Sequence, residues 1–495
     1  MDDDTRYDLI VIGSGPAGDS AAQLAASEGY RVAIVERLRS VGGVVVANGG
    51  VPTKTLRETA MYLSGIMGRQ VYGLGMELQA RVVAEKLASR TREVSQTIGR
   101  LVRENIANRG IELIHGSGRL GPNRTVVVDP GQPGSSERVL AARTILIASG
   151  SRPFRPAGIP FDDPDVWDNE TLLTPVRIPS SLVIIGGGAI GCEYGSIYSA
   201  LGCRVTIVDV ADRLLPFLDG ELSERAAEIY RADGIHLVTG ARVASVTRVG
   251  AALEVRLVDG TVFWADAVLV AAGRIVDTSG LGLAQTGVEI DERGRIVVDD
   301  RYQTTAPGVY AAGDVIGPTL ASISMEQGRV AVSHALGIAF KQAVAPLPII
   351  GVYSMPEIAM AGLTEEAARA ERIEYEVGRC EFDRIPRAHI AGRTHGLLKL
   401  VFERRTRQLL GVHVLCDIAS ELVPLGQEVI SQGGTIDRFV DLTLAVPTYT
   451  LAYKLAAFDG LARIADRSAA SALDGSAPLC LERAPELAMT ARSSE

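Results

Sequence analysis

The chain has little cysteine, no long apolar run and no excess of basic charge. Its five cysteines in 495 residues, Cys192, Cys203, Cys380, Cys416 and Cys480, are odd in number and scattered. That spacing is neither a disulfide scaffold nor a zinc site; it fits a reducing compartment, so a cytoplasmic protein is expected. The longest apolar runs, Thr144–Ala148 and Ala267–Ala272, are strand-sized, which argues against a membrane span. Lysine plus arginine is 50 against 59 acidic residues, a net charge of −9, so the chain lacks the basic footprint of a nucleic-acid binder. The opening Met-Asp-Asp-Asp carries the wrong charge for a secretory signal. At about 150 residues per domain, the length suggests roughly three domains. What is present in excess is glycine, 53 residues or about 11% against a usual 7% or so. These glycines are clustered.

Residues 7–12 form a β-branched run ending at Gly13; Gly15 and Gly18 follow, then the alanine-rich stretch Ser20–Ser27, then a second strand Arg31–Val35 closed by Glu36. The same order recurs: Leu182–Ile185, the glycines Gly186, Gly188 and Gly191, a helix Cys192–Leu201, and Arg204–Val208 closed by Asp209. In each copy the acid follows the first glycine by 23 residues. Strand, glycine turn, helix and strand closed by an acid is the unit that holds a dinucleotide. The first glycine permits the tight turn, the second admits a pyrophosphate, the third lets the helix pack on the strand, and the acid reaches a ribose. Two such units with equal spacing predict two bound dinucleotides. Between them lies a polar, helix-patterned stretch over about 53–108. Alternating segments follow the second unit (Val243–Val249, Ala252–Leu257, Thr261–Val270), then Val309-Tyr-Ala-Ala-Gly-Asp314 and a helical run Ala321–Leu336. Pro346, Pro348 and Pro356 mark a boundary before an α+β region.

In these motifs, over residues 7–466, the chain resembles the pyridine-nucleotide disulfide oxidoreductase flavoproteins, the family of dihydrolipoamide dehydrogenase, glutathione reductase and mercuric reductase. The resemblance implies an α/β fold with two doubly wound, Rossmann-like domains for FAD and NAD(P) and a C-terminal α+β dimerisation domain. FAD would lie on residues 1–152 and 275–345, NAD(P) on 153–274, the interface on 346–466, and residues 467–495 would be a flexible tail. Gly13, Ser14, Gly15, Pro16, Ala17 and Gly18 would bind FAD together with Glu36, Arg37, Gly42 and Gly43. Gly118, Ser149, Gly150, Ser151, Gly313, Asp314, Leu320 and Ala321 complete that set. Gly186, Gly188, Ala189, Ile190, Gly191, Asp209, Val243 and Gly273 would bind the nicotinamide nucleotide. Asp209 suits a free 2′-hydroxyl and repels a 2′-phosphate, favouring NADH, although the flanking Arg204 and Arg213 could soften that choice. No metal is implied.

Lys54, in Val51-Pro-Thr-Lys54, and Glu193, closing Gly-Gly-Gly-Ala-Ile-Gly-Cys-Glu193, match the family's ion pair beside the flavin. A cation there stabilises the negative charge that arrives with hydride, and the glutamate holds it in place. The alternative is a structural ion pair joining two domains.

Two family features are missing. Where the disulfide reductases carry G-G-x-C-x-x-x-G-C-x-P-S-K, this chain reads Gly42-Gly-Val-Val-Val-Ala-Asn-Gly-Gly-Val-Pro-Thr-Lys54, with Val45 and Gly50 at the two cysteine positions. Neither can form a thiolate or a mixed disulfide. Where the family carries H-P-T-x-x-E, the chain reads Val446-Pro-Thr-Tyr-Thr-Leu451, without the histidine base or its glutamate. Thiol-relayed reduction of a disulfide or of mercury is therefore not expected.

The expected function is an FAD-dependent NAD(P)H oxidoreductase passing hydride from NADH to a small acceptor such as a quinone, in a homodimer. Tyr449 is a candidate hydrogen-bond donor to that acceptor, or else a packing residue at a dimer contact. Soluble transhydrogenation between nicotinamide nucleotides is the alternative; Thr53–Ala60, Ser324–Arg329 and Ala452–Ala457 are similar to transhydrogenase segments. A flavin-dependent dehydrogenase of a small metabolite and a non-catalytic flavin-binding scaffold are further readings.

Overall fold

The computed structural model describes residues 6–63, 80–132, 134–173 and 178–473. Each glycine-centred unit folds as its pattern demands. Strands Arg6–Ile12 and Val32–Glu36 pair in parallel around the helix Pro16–Ser27. Strands Ser181–Ile185 and Arg204–Val208 do the same around Ala189–Ala200.

The first sheet runs Glu112–His115, Val32–Glu36, Arg6–Ile12, Arg138–Ile147, Thr125–Asp129, Ser117–Gly121. The long strand Arg138–Ile147 divides one edge between two partners. Its start pairs antiparallel with Thr125–Asp129 and its end in parallel with Val309–Ala311, so the distant 309–314 segment returns to the first unit. The second sheet, His236–Val238, Arg204–Val208, Ser181–Ile185, Ala267–Val270 and Val166–Asp168, is parallel throughout. Its central strands are apolar on both faces, as a sheet covered on two sides requires.

The segment Thr261–Val270, expected as one strand, is two. Val262–Ala265 joins an antiparallel meander with Val243–Val249 and Ala252–Leu257, whereas Ala267–Val270 enters the parallel sheet. The turn falls at Asp266, whose carboxylate accepts from Ser181 N at 3.0 Å and whose own N–H is bonded by Ser181 Oγ at 3.0 Å. A side chain that caps the backbone in this way breaks a strand that alternation alone would continue.

Both crossings between the two nucleotide domains run side by side: Ser151–Pro153 pairs antiparallel with Arg274–Val276. The expected divisions after 152 and 274 fall inside this two-stranded ladder. The interface region is an antiparallel sheet in the order Ile350–Val352, Glu357–Gly362, Leu409–Cys416, Leu397–Glu403, Tyr375–Glu381. Helices Ala419–Ser431 and Leu451–Leu473 pack on it around Phe382, Phe402, Phe439 and Tyr453. The last helix passes through the expected limit at 466, so Arg467–Leu473 are helical rather than a loose tail; residues 474–495 lie outside the described residues. His413, in the middle of this sheet, is fully buried, with Nε2 2.9 Å from the Leu363 carbonyl. Among the described residues no helix is long and apolar enough to cross a membrane.

Candidate active site

The two glycine turns have the same geometry. Gly13 and Gly186 sit at φ of 106° and 115°, left-handed values that a side chain resists, and a methyl on either would strike the carbonyl of Ala148 or Ala271 on the neighbouring strand. A methyl on Gly18 or Gly191 would strike the carbonyl of its own turn's first glycine, which is how closely each helix approaches its strand. At Gly188 a Cβ would meet nothing within 4 Å, and at Gly15 only the Gly43 Cα at 4.0 Å. The middle glycines thus leave open space in front of the helix. Both helices begin there with no side-chain cap, so their first N–H groups are offered to a ligand.

The closing acids bind back onto these turns. Glu36 Oε2 accepts from Ser14 N at 2.8 Å and Ser14 Oγ at 2.6 Å, and Oε1 accepts from Leu38 N at 2.8 Å. Asp209 accepts from Gly187 N and, at 2.6 Å, from Ala211 N. Each carboxylate therefore arrives oriented by backbone amides, with lone pairs left over for a ribose. Of the two cations that flank Asp209 in sequence, Arg213 is held by Glu366 at 3.2 Å and by the carbonyls of Pro216 and Leu218, and Arg204 starts the strand that Asp209 follows.

A single cleft of about 960 Å³ runs from the first unit to the second. Val35, Glu36, Arg37 and Gly118 line one end; Lys54, Ala189, Ile190 and Glu193 line the other. Gly13, Gly15, Pro16, Ala17, Gly43, Ser149, Gly150, Ser151, Gly313, Asp314, Leu320 and Ala321 form the walls between. Ser151 Oγ donates to Asp314 Oδ2 at 2.5 Å, and Thr319 N donates to its other oxygen at 3.1 Å. Arg37 is paired with Asp277 at 3.3 Å. Ser14, Gly18 and Gly42 stand behind this surface. Gly186, Gly188, Gly191, Asp209, Val243 and Gly273 belong to the second unit outside the cleft. Tyr449 is also outside it, half-buried with its ring edge-on to Phe382 at 5.8 Å.

Lys54 and Glu193 meet although 139 residues apart: Nζ lies 3.0 Å from Oε1 and 2.9 Å from Oε2. The helix Gly50–Leu63 brings the lysine and the helix Ala189–Ala200 the glutamate. Next to them Thr53 Oγ1 and Tyr194 OH are 3.0 Å apart, joining the same two helices. Both line the cleft; Glu193 keeps 8% of its side-chain surface and Lys54 33%, so the lysine is the more exposed member of the pair.

Sequence reasoning gave no role to three residues that shape this site. Arg274 donates from Nε to Ser151 Oγ at 2.8 Å and lies 4.0 Å from Asp314. Gln327 Oε1 accepts from Gly313 N at 2.9 Å. Tyr353 lies under Lys54, its ring centroid 4.5 Å from Nζ. Arg274 follows Gly273, a residue expected to touch the nucleotide, and Gln327 lies in the segment Ser324–Arg329; Tyr353 has no local signal.

Val45 and Gly50 are neighbours in space as well as in motif. A Cβ on Gly50 would lie 3.2 Å from Val45 Cγ1. The described cysteines are all free and buried. Cys192 Sγ lies 3.4 Å from the Gly187 carbonyl, and burial pushes its thiol far above the ordinary range.

Two nucleotide cradles, the first opening on the cleft and the second reaching it through Ala189, Ile190 and Glu193, with a lysine held between them, define an oxidoreductase of the two-dinucleotide flavoprotein class. The chain belongs to the pyridine nucleotide-disulphide oxidoreductase family: that family's profile matches residues 7–328, and the profile of its dimerisation domain matches residues 349–457. Membership implies FAD and NAD(P)H, and the empty space before the uncapped helix at Gly15 fits the pyrophosphate of such a group. A soluble pyridine nucleotide transhydrogenase of Mycobacterium bovis is 40% identical over 455 residues, covering 92% of this chain and 97% of the relative. A Marinomonas protein of the same name is 36% identical, covering 93% and 99%. Among solved structures, the HOCl-induced flavoprotein disulfide reductase RclA of Escherichia coli superposes with a TM-score of 0.83 at 27% identity, covering 92% of this chain and 99% of that one. LpdA of Mycobacterium tuberculosis superposes with a TM-score of 0.82 at 26% identity, covering 92% and 99%.

Proposed function

We propose that the protein is a pyridine nucleotide transhydrogenase, moving hydride between nicotinamide nucleotides through FAD and without a dithiol. The observation that carries this reading is the Lys54–Glu193 pair at the junction of two dinucleotide cradles, in a chain whose dithiol positions are Val45 and Gly50. The names of the relatives favour a second nucleotide as acceptor over the quinone expected from the sequence.

Bound FAD supplies a two-electron carrier, so that NADH and NADP⁺ can become NAD⁺ and NADPH with no other co-reactant. The turn Gly13–Gly18 and the helix behind it would hold its pyrophosphate, Glu36 a ribose, and the Ser151–Asp314 corner the polyol region. Gly186–Gly191 and Asp209 would hold the nicotinamide nucleotide, with NADH preferred because the Asp209 carboxylate accepts from a free 2′-hydroxyl and repels a 2′-phosphate. Lys54 would present a fixed positive charge where negative charge develops, and Glu193 keeps that charge from swinging away. Val44 and Val45, in the short helix Gly43–Ala47, would give the cleft an apolar wall. Tyr449 would serve the cleft of a second subunit rather than its own.

The test is anaerobic. NADH is expected to bleach the flavin fully without a long-wavelength thiolate band, and the thio-nicotinamide analogue of NADP⁺ to reoxidise it in stoichiometric amount. Reoxidation by menadione but not by the analogue would overturn the nucleotide acceptor. A flavin that neither NADH nor NADPH reduces would overturn the enzyme reading altogether.

A further inference from the structure

The segment Tyr353–Met355 follows the interface-domain strand Ile350–Val352 and is bonded to both helices that carry Lys54 and Glu193. Every residue in it is held. Tyr353 N donates to Glu193 Oε1 at 2.9 Å, Arg57 Nε donates to the Ser354 carbonyl at 3.0 Å, and Met355 N donates to Ser196 Oγ at 3.1 Å. Arg57 and Ser196 lie one helical turn beyond Lys54 and Glu193, so the strap is tied along the same helix faces that present the pair. Tyr353 thus touches both members: its amide fixes the glutamate, and its ring faces the lysine ammonium at 4.5 Å. From the other side the ring packs on Gly351, where a Cβ would lie 3.4 Å from the Tyr353 Cε2.

We propose that Tyr353 is a positioning residue whose ring, in contact with the Lys54 ammonium, fixes where that charge sits in the cleft. The proposal rests on the reading of Lys54 given above. A lysine on a flexible four-carbon stem, held by one carboxylate alone, can pivot about it. A π-face adds an attraction from a second direction and removes that freedom. The third domain thereby enters the site: the charge is set by a lysine from the first unit, a glutamate from the second and an aromatic ring from the interface sheet.

The test compares Tyr353→Phe and Tyr353→Leu in the full-length, FAD-loaded protein. Three quantities are read: acetylation of Lys54 by acetic anhydride at the peptide level, the flavin midpoint potential, and the rate of flavin reduction against NADH concentration. Tyr353→Phe is expected within twofold of the parent throughout. Tyr353→Leu is expected to raise Lys54 acetylation severalfold, lower the potential and slow reduction about tenfold, with the half-saturating NADH concentration unchanged. Fluorinated phenylalanines at position 353 keep the ring's shape while weakening its face; acetylation should rise with fluorine content, and this series stands if the leucine variant does not fold. Equal Lys54 reactivity and reduction rate in the leucine variant, a flat fluorine series, or a phenylalanine variant as impaired as leucine would overturn the proposal. Lys54 acetylation and the potential do not depend on the acceptor, so failure of the transhydrogenase assay in the parent protein is told apart from failure here.

Discussion

Lys399 Nζ lies 2.7 Å from Asp219 Oδ1, and each of the two side chains keeps only 1% of its surface. Lys399 comes from a central strand of the interface sheet, and Asp219 caps the helix Gly220–Ala232 of the second nucleotide domain by accepting from Glu221 N at 3.1 Å. Glu221, 2.9 Å away, and Glu365 complete a ring of carboxylates around the ammonium, and Arg379 braces Glu221 at 2.8 Å. Asp219, Glu221 and Glu365 are grouped closely enough to suggest a metal site, but the lysine occupies that role. The network fastens the nucleotide domain to the interface domain.

Removing the ammonium strands buried carboxylates. Lys399→Met is therefore expected to cost about 3–5 kcal/mol, the range for breaking a buried pair on one side. Arg379→Met, at a site keeping 26% of its side-chain surface, should cost less. Urea unfolding of the two variants measures the order; equal losses would mean that burial of Lys399 is not what matters.

Acid should erode stability in two stages. Burial pushes the His413 imidazole below its ordinary pKa, so the folded state resists protonation that the unfolded chain accepts; stability falls as pH drops below the unfolded value of about 6.5. For Asp219, burial works to raise the carboxyl, but the Lys399 ammonium 2.7 Å away and the Glu365 amide hold it below the usual carboxylate range. Its contribution is present above an unfolded pKa of about 3.9 and is lost as pH falls through the lower folded value. Unfolding free energy measured from pH 8 to pH 3 should show both stages, and His413→Phe should abolish the upper one.

The matched glycines separate the two nucleotides. Gly13→Ala forces a methyl into the Ala148 carbonyl and should yield protein that has lost most of its FAD. Gly186→Ala makes the equivalent collision with Ala271 and should yield yellow protein that NADH reduces at least tenfold more slowly. Flavin content after gel filtration and anaerobic stopped-flow traces decide; loss of flavin from the second variant would contradict the assignment of the units.

The dithiol is absent, but its geometry remains. With a Gly50 Cβ only 3.2 Å from Val45 Cγ1, the pair Val45→Cys and Gly50→Cys is within disulfide reach. The double variant should lose two hydrogen atoms by mass on air oxidation, oxygen taking the electron pair, and develop a long-wavelength band on two-electron reduction. Two free thiols after exhaustive oxidation would show that the loop holds these positions apart.

The two cradles were legible because their chemistry is local. Gly13 and Gly186 need positive φ, and Glu36 and Asp209 follow at the distance that one helix and one strand impose. The Lys54–Glu193 pair was legible only through its resemblance, since nothing within either segment points to a partner 139 residues away. Tyr353 was not legible because its amide and ring reach the pair from another domain, and Gln327 because its bond to the Gly313 amide depends on how its helix packs against that turn. The split at Asp266 was hidden because period-two alternation does not reveal a side chain that caps the turn.

By itself, the sequence determined the two dinucleotide units, the absence of a thiol pair and of a histidine base, and the α/β class, because each depends on residue type at short range. Only the tertiary structure decided that the segment Val309–Ala311 returns along Arg138–Ile147, that Arg213 is held by Glu366, and that a strap from the interface sheet reaches the lysine. These are contacts between segments distant in the chain, set by how three domains pack, and no local pattern of residues encodes them.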